Sequence, residues 1–297
     1  AGGVEAMRRA MIPVESADAE YLVDTAGTGG GLVTTFNIST AAAIVAAAAG
    51  VPMAKHGNRS FSSRSGSADV LEALGVRIDL TPEAMARVLE EVGIVFMFAP
   101  ILHPAMRHVG PVRRSLGFRT LMNLLGPLAN PAGAQRQVVG VSDPEFLHLI
   151  VHALKELGHF RALVVHGEPG MDEVSPMGRT RVAELRDGGI HEYEITPEEF
   201  GFAVATADEL AGGEPEENAE LVRAVLSGER RDGARSAVLL NAGAAIYVGG
   251  RAESLRQGVR VASEAVDSGA ALQALERLRE ASLAAAEAGA DEGPAQP

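Results

Sequence analysis

Short apolar runs alternate with segments of helical spacing along most of this chain. In the first hundred residues, the apolar or alternating runs predict strands at 21–26, 51–54, 76–80 and 94–98. The segments between them predict helices at 39–49, 67–74 and 81–91. Strands that alternate with helices in this way favour an α/β fold with a largely parallel sheet.

The pattern changes between residues 103 and 130, where helical spacing occurs with several prolines and no strand is predicted. We interpret this stretch as a helical insertion that leaves the sheet and returns to it. Later strands are predicted at 137–141, 162–166, 182–185 and 190–195, the last two as a hairpin about Asp187-Gly188-Gly189. Further helices are predicted at 1–12, 144–157, 215–227, 232–248 and 251–288.

Composition limits the possible functions. The formal net charge of -13 argues against broad binding of nucleic acid or anionic membranes, because both need a basic surface. The chain has no cysteine, which excludes disulfides, thiolate metal sites and cysteine nucleophiles. No apolar run approaches a membrane span and no signal segment opens the chain, so we expect a soluble, cytoplasmic protein.

The stretch 27–66 carries the clearest chemical signal. A glycine cluster, GTGGG at 27–31, ends one predicted strand, and an alanine-rich helix starts near Ser39. Glycines let the backbone approach a ligand, and free N–H groups at a helix N-terminus attract anions. With Lys55 and the serine-rich run 60–67 following, the stretch predicts a site for a heavily phosphorylated small molecule.

The glycine cluster also has simpler interpretations. The dinucleotide fingerprint needs G-x-G-x-x-G and an acid on the next strand, whereas here the spacing is G-x-G-G-G and the next strand ends in Lys55-His56. A plain tight turn is the other alternative, and the adjacent Asn37-Ile38-Ser39-Thr40 makes it less favoured.

Lys55 is one of only two lysines among 26 basic residues, so its compact charge is a candidate for anion binding. Its alternative is a solvated surface lysine. The adjacent acids Asp172-Glu173 follow a predicted buried strand, where open α/β sheets bind ligands, and suit a hard cation such as Mg²⁺. Their alternative is a solvated acidic turn.

The helical insertion contains candidates for binding a carboxylate, because the planar fork of arginine matches that group. They are Arg107, Arg113, Arg114 and Arg119. For each one, an ordinary position on a helix surface is the alternative. His103 could line a pocket or cap a helix.

Four linked motifs resemble those of the anthranilate phosphoribosyltransferases. They are GTGG…TFNIST at 27–40, AKHGNRS…SGSAD at 54–75, FAP…HPAMRHV…NLLGPL at 98–131 and HGEPGMDEVSP at 166–176. The resemblance covers essentially the whole chain. It implies a nucleoside-phosphorylase-like fold, with an active-site cleft between a small helical domain and a large α/β domain, and a homodimer formed through the helical domain.

The resemblance also implies a division of the chain. A remnant of the helical domain would occupy 1–20 and its insertion 101–135, the α/β domain would comprise 21–100 and 136–288, and a frayed tail would occupy 289–297. Family members begin with further helices, so we expect N-terminal sequence to be missing. We expect dimerisation where those helices are present, and an inactive fragment is one alternative without them.

Residue roles follow from the same resemblance. Phosphoribosyl pyrophosphate would bind Gly27, Thr28, Gly29, Gly30, Thr35, Asn37, Ser39, Thr40, Lys55, His56, Gly57, Asn58 and Ser63. Anthranilate would bind Gly27, Asn58, His103, Arg113 and Pro127, with Arg113 on its carboxylate. Two Mg²⁺ ions would bind Ser39, Asp172 and Glu173. No residue would be a dedicated catalyst, and His56, Asn58 and Arg113 would position the reactants.

One position departs from the family pattern. Gly31-Leu32 follows GTGG where the family often has Asp-Gly, so a carboxylate near the ribose or the metal is lost. We expect this to alter metal or substrate affinity rather than the reaction.

The implied reaction displaces pyrophosphate from C1 of phosphoribosyl pyrophosphate with the amine of anthranilate, in tryptophan biosynthesis. An aromatic amine is neutral at pH 7, which fits a chain without an evident nucleophile–base pair. The alternatives are a pyrimidine nucleoside phosphorylase of the same fold, a nucleic-acid binder and an inactive fragment. Asp172-Glu173 and the Arg113 segment argue against the first, and the net charge argues against the second.

Overall fold

A central sheet organises the computed structural model, which describes residues 1–60, 64–116 and 120–291. Within these residues the sheet has seven strands, in the order β3-β2-β1-β4-β5-β6-β7. They are β1 Val23–Gly27, β2 Met53–Gly57, β3 Ile94–Phe98, β4 Arg136–Gly140, β5 Arg161–Gly167, β6 Thr180–Arg186 and β7 Gly189–Ile195. The first five pair in parallel, and β6 and β7 extend one edge in antiparallel fashion. The predicted α/β fold with a mainly parallel sheet is confirmed.

Helices surround this sheet. They are α1 Gly2–Ala10, α2 Ile38–Ala48, α3 Ser67–Ala73, α4 Pro82–Val92, α5 Ala99–Leu102, α6 Met106–Leu116, α7 Met122–Leu125, α8 Phe146–Glu156, α9 Ala207–Leu210, α10 Pro215–Leu226, α11 Gly233–Val248, α12 Leu255–Asp267 and α13 Ala270–Asp291. Between β3 and β4 the described residues form helices and no strand, as predicted for 103–130. The division into domains stays a prediction. In the described part of the chain, no helix is both long and apolar enough to cross a membrane.

Local sequence signals set several element boundaries. The side chain of Thr81 accepts a hydrogen bond from the N–H of Ala84 and so caps α4, while Gly93 ends that helix in the left-handed region at φ +74°. Asp187 and Gly188 have φ values of +52° and +73°, which a two-residue hairpin turn between right-twisted strands requires. The predicted hairpin is confirmed.

Two predictions about elements are wrong. Residues 76–80 do not pair in the sheet, although Val76, Ile78 and Leu80 are buried as the alternation indicates. Their segment lies against α13 instead, where the N–H of Arg77 donates to the Ser282 hydroxyl. The predicted helix 251–288 is two helices, α12 and α13, because Gly269 adopts φ +79° between them.

Small side chains allow very close packing between helices. All residues of α11 are buried, and α2, which is mostly alanine, packs against it. At the crossing of α11 and α12, a Cβ on Gly258 would overlap the carbonyl oxygen of Gly243. Backbones therefore meet directly where larger side chains would hold helices apart.

Candidate active site

Four strand ends bring the predicted site residues together. Strands β1, β2, β4 and β5 run in parallel, so their carboxyl ends meet at one edge, where open α/β sheets bind ligands. Gly27 at the end of β1 pairs with Gly140 at the end of β4. The acidic pair Asp172-Glu173 lies in the loop that follows β5.

Two of these glycines make room for Asp172. A Cβ on Gly27 would overlap the Asp172 carboxylate, and a Cβ on Gly140 would overlap its main-chain carbonyl. Only glycine allows so close an approach between backbone segments. The loop after β5 therefore lies directly across the ends of β1 and β4.

The glycine cluster is held open by its backbone conformation and by one carboxylate. Gly29 and Gly30 have φ values of +72° and +70°, which favour glycine over other residues. The N–H of Gly29 donates to Asp172 Oδ2 at 2.7 Å. Ser142, just beyond β4, donates its hydroxyl to the Gly29 carbonyl at 3.1 Å and its N–H to the Thr28 hydroxyl at 3.3 Å.

Gly31 and Leu32, the departure from the family pattern, lie against the same loop. A Cβ on Gly31 would lie 2.9 Å from the carbonyl oxygen of Gly170, so a larger residue there needs the loop to shift. The N–H of Leu32 donates to that carbonyl at 2.9 Å. Leu32 itself is 85% exposed.

Lys55 brings a buried cation next to the start of α2. Its side chain is only 4% exposed, and its Nζ donates to the Thr25 carbonyl at 2.8 Å and the Ser39 hydroxyl at 3.3 Å. Burial lowers the pKa of Lys55, and the charges of Asp24 and Glu173 oppose that shift. The alternative of a solvated surface lysine is wrong.

Glu173 has an unsatisfied carboxylate oxygen. Its Oε2 is buried and has no hydrogen-bond partner among the described residues, while the carboxylate accepts a backbone hydrogen bond from Ser39. Burial, and after it the negative charge of Asp172, raises the pKa of Glu173 well above its usual value. A buried oxygen without a partner, beside a second carboxylate, fits a hard cation such as Mg²⁺.

A metal ion here would need ligands beyond these two acids. The described residues contain no cluster of three or more histidine, cysteine, aspartate or glutamate side chains that could hold a metal. Mg²⁺ commonly completes its octahedron with water and substrate phosphates, so the donor set is consistent with a metal that binds together with a phosphorylated substrate.

The amide of Asn37, immediately before α2, is held from two sides. Its Nδ2 donates to the Ser65 carbonyl at 3.2 Å, and its Oδ1 accepts from the Ser65 hydroxyl at 3.3 Å and from Asn218 Nδ2 at 2.9 Å. Thr35, two residues earlier, forms an antiparallel bridge with Ala211. The segment around α10 therefore supports the predicted phosphate-binding loop, a connection that sequence reasoning missed.

Two buried histidines face each other beside the helical insertion. The rings of His56 and His103 lie 5.0 Å apart. Burial, then the charges of His103 and Lys55, lowers the pKa of His56 to about 3, and burial lowers the pKa of His103. The Nε2 atoms of both rings are buried without a partner among the described residues. The backbones of Gly126 and Ala129, on either side of Pro127, oppose these shifts of the pKa of His56 and His103 respectively.

Other predicted binding residues lie around this edge of the sheet. Gly57 ends β2, and Asn58 follows it as an exposed residue whose Oδ1 accepts from the N–H of Arg59 at 2.7 Å. Thr40, in the first turn of α2, has a buried hydroxyl without a hydrogen-bond partner in the described part of the chain.

Some predicted residues are not described by the structure. Ser63 and Arg119 lie outside the described residues. Arg113 and Arg114 lie in helix α6, but their side chains are outside the description. Arg107 is an exposed residue of the same helix and hydrogen-bonds His108. The predicted role of Arg113 therefore stays a prediction.

One buried carboxylate was not predicted. Asp24 in β1 accepts hydrogen bonds from Asn130 Nδ2 at 2.8 Å and from the N–H of His56 at 3.1 Å. Burial raises the pKa of Asp24, and Lys55 opposes the shift. An aspartate inside an otherwise apolar strand is uncommon, which was the available signal. Asp24 joins β1 and β2 to the segment that returns from the helical insertion.

Comparisons with known proteins agree on one family. A profile of the glycosyl transferase family, a/b domain, matches residues 19–272. The anthranilate phosphoribosyltransferase of Rubrobacter xylanophilus is 56% identical over 277 residues, which are 93% of this chain and 80% of that protein. That of Thermomicrobium roseum is 54% identical over 97% of this chain and 83% of its own length.

Solved structures agree as well. The crystal structure of anthranilate phosphoribosyltransferase from Thermus thermophilus matches with a TM-score of 0.89 and 50% identity, over 94% of this chain and 83% of that one. The Saccharomyces cerevisiae enzyme in complex with PRPP and Mg matches with a TM-score of 0.86 and 28% identity, over 95% of this chain and 78% of that one. The profile, the identities and the shared fold together show that this chain belongs to the anthranilate phosphoribosyltransferase family.

Proposed function

We propose that this chain transfers the phosphoribosyl group of phosphoribosyl pyrophosphate to the amine of anthranilate, in tryptophan biosynthesis. The observation that carries the proposal is the convergence of three features at one sheet edge. These are the open glycine cluster at 27–31, the N-terminus of α2 with Lys55 beside it, and the paired acids Asp172-Glu173. A phosphorylated sugar with a pyrophosphate leaving group matches this combination of anion-binding and cation-binding groups.

The reaction needs the two reactants to be positioned and the charge on the leaving pyrophosphate to be stabilised. A bond forms between the anthranilate nitrogen and C1 of the ribose while the bond from C1 to the pyrophosphate oxygen breaks, and the amine loses a proton. The Lys55 ammonium and the backbone N–H groups of Gly30 and Gly31 would stabilise the charge that develops on pyrophosphate, while the N–H of Gly29 donates to Asp172. A neutral aromatic amine needs no strong base, so the reaction does not require a nucleophile–base pair.

Magnesium would bind at Asp172, Glu173 and Ser39, and we propose two ions there. The Oε2 of Glu173, which has no partner in the part of the chain that the structure describes, supports this assignment because a buried carboxylate oxygen is costly without a hydrogen bond or a cation. When bound, Mg²⁺ would neutralise pyrophosphate oxygens. Asp172 meanwhile holds the glycine cluster through the N–H of Gly29.

Anthranilate would enter from the side of the helical insertion. His56 and His103 present neutral rings next to the segment of Pro127, and Asn58 is exposed at the end of β2. Neutral rings suit an aromatic ligand, while Arg113 would bind its carboxylate bidentately.

The first test mixes the purified chain with phosphoribosyl pyrophosphate, Mg²⁺ and anthranilate and follows the loss of anthranilate fluorescence. We expect loss that requires both the sugar donor and the metal. Fluorescence that stays constant, combined with phosphate-dependent cleavage of uridine or thymidine, would contradict the proposal in favour of a pyrimidine nucleoside phosphorylase. Inactivity in both assays would support the inactive-fragment alternative.

We also propose that the protein is cytoplasmic, and that it forms a homodimer when the N-terminal helices of the family are present, as the family resemblance implies. Sedimentation velocity across a range of protein concentrations tests the assembly. A single species of monomer mass at micromolar concentration would contradict the dimer.

A further inference from the structure

Asn218 lies on α10, far along the chain from the glycine cluster, yet it contacts the site directly. It is only 3% exposed, and its Nδ2 donates to Asn37 Oδ1 at 2.9 Å. The two residues are 181 positions apart in sequence. Nothing in the proposed reaction assigns Asn218 a role, although it is a buried polar residue at the edge of the proposed site.

The orientation of the Asn218 amide is set by a group that can only donate. The backbone N–H of Gly213 donates to Asn218 Oδ1 at 2.8 Å. An N–H has no acceptor capacity, so the amide oxygen of Asn218 must face Gly213 and its NH₂ must face Asn37.

The same logic passes to Asn37. Because Asn218 presents a donor and the Ser65 carbonyl can only accept, these two groups together require the oxygen of Asn37 to face Asn218 and its NH₂ to face Ser65. One hydrogen of that NH₂ is used by the Ser65 carbonyl at 3.2 Å. The second hydrogen has no acceptor among the described residues and so is available to an anionic ligand, whereas a flipped Asn37 would present a repelling oxygen.

The backbone near Asn218 also supports the loop that precedes Asn37. Thr35 bridges Ala211, and the N–H of Phe36 donates to the Leu210 carbonyl at 3.0 Å. A Cβ on Gly212 would lie 2.6 Å from the Thr35 carbonyl oxygen, so the two segments are in close contact. The segment 210–218 therefore sets both the backbone and the side-chain orientation at Asn37.

We propose that Asn218 is a positioning residue for phosphoribosyl pyrophosphate, acting through Asn37 by fixing which face of that amide meets the substrate. This inference rests on the proposed function, specifically on the binding role of Asn37. The competing explanation is that Asn218 only stabilises the packing of α10.

A double-mutant cycle separates the two explanations. We expect Asn218→Ala to raise the KM for phosphoribosyl pyrophosphate roughly three- to tenfold, the scale of one hydrogen bond, and to leave the KM for anthranilate unchanged. Adding Asn218→Ala to Asn37→Ala should cause no further increase in the KM for phosphoribosyl pyrophosphate, because the effect of Asn218 passes through Asn37. Asn218→Asp keeps the volume but cannot donate as a carboxylate, so it should also raise this KM.

Val222→Ala is the matched control, because Val222 is a fully buried residue of the same helix whose aliphatic side chain cannot hydrogen-bond Asn37. It should lower the melting temperature without changing either KM. The proposal is overturned if Asn218 variants only lower the melting temperature, or if their effect multiplies with that of Asn37→Ala. If Asn37→Ala itself leaves the KM unchanged, the binding role of Asn37 is wrong and the proposal falls with it. Turnover that persists in that variant would leave the proposed reaction intact.

Discussion

At the scale of single residues, Asp172 serves two needs at once. Its Oδ2 accepts from Gly29, which fixes the glycine cluster, while its carboxylate occupies the space left by Gly27 and its main-chain carbonyl the space left by Gly140. Glu173, next in sequence, has the opposite character, since its Oε2 lacks a partner among the described residues. Asp172 therefore shapes the loop in addition to its proposed role in cation binding, whereas Glu173 is placed for cation binding.

Replacing the unsatisfied acid should weaken metal binding selectively. Glu173→Gln should raise the Mg²⁺ concentration for half-maximal turnover about tenfold or more, the scale of one charged contact. Asp172→Asn should have a similar effect. The initial rate, measured as a function of Mg²⁺ concentration, gives the half-maximal concentration for each variant. The control is Glu168→Gln, at an exposed position of the same loop. A metal dependence identical to that of the wild type would reject the assignment.

Removing the proposed carboxylate ligand should affect the acceptor alone. Arg113→Ala should raise the KM for anthranilate roughly 30- to 1,000-fold, because a lost charge-assisted bidentate contact costs about 2–4 kcal/mol. Arg107→Ala, in the same helix, should leave that KM near the wild-type value. Saturation curves for anthranilate at fixed sugar donor provide the measurement, and unchanged saturation in Arg113→Ala would exclude the role.

The role of a residue in the site could be predicted where its signal comes from its immediate neighbours in the sequence. Lys55 lies in β2 and Asp172-Glu173 lie in the loop after β5, and their positions in the strand–helix pattern were enough to place them at one sheet edge. Asn218 could not be connected with the site, because its partner lies 181 positions away and its own helix gives no signal. Asp24 has a partner 106 positions away in Asn130 and was missed for the same reason.

At the scale of elements, the loop after β5 is positioned by the strands it crosses. The strand ends at Gly27 and Gly140 leave no room for side chains beneath Asp172. Strand pairing could be predicted for the apolar runs, but the segment 76–80 shows the limit of that reasoning. Alternation reports burial on one side of an extended chain, and it does not report what the backbone pairs with.

Adding one methyl group under the loop should therefore remove activity without unfolding the protein. In Gly140→Ala the new Cβ would overlap the Asp172 carbonyl, so the loop must move and turnover should fall by roughly a hundredfold, as misplacement by about 1 Å can cause. Gly189→Ala, in β7, is the control, because the nearest atom to its Cβ is at the end of the His191 side chain, at 3.1 Å, and the Arg186 carbonyl oxygen lies at an ordinary contact distance of 3.5 Å. Turnover and circular dichroism should be measured together, and full activity in Gly140→Ala would contradict this account.

At the scale of the whole molecule, stability should depend on pH through buried neutral histidines. Burial, and then the charge of Arg8, lowers the pKa of His159 to about 4. In the unfolded chain His159 titrates near pH 6.5, so above that pH it adds no pH dependence to the free energy of unfolding. Between about pH 6.5 and 4 the unfolded state binds more protons, so folding stability decreases as the pH is lowered, by up to about 1.4 kcal/mol per pH unit.

His159→Gln should consequently reduce the loss of stability on acidification. Between pH 7.5 and 5 the variant should lose up to about 2 kcal/mol less than the wild type, because it lacks the proton uptake of unfolded His159. Urea unfolding at both pH values measures the difference, and contributions from other histidines cancel in the comparison. His152→Gln, at an exposed site on α8, should behave as the wild type. An equal loss in His159→Gln and wild type would contradict the prediction.

The direct contact between the backbones of α11 and α12 has a consequence for how this sequence can vary. Every residue of α11 is enclosed, and Gly243 meets Gly258 without intervening side chains. In a library of all single substitutions under selection for growth without tryptophan, positions 233–248 should form a band of intolerance. These positions would be as intolerant of substitution as the ligand-binding loops. An active site assigned from intolerance to substitution alone would therefore be placed, wrongly, in the interior of the protein.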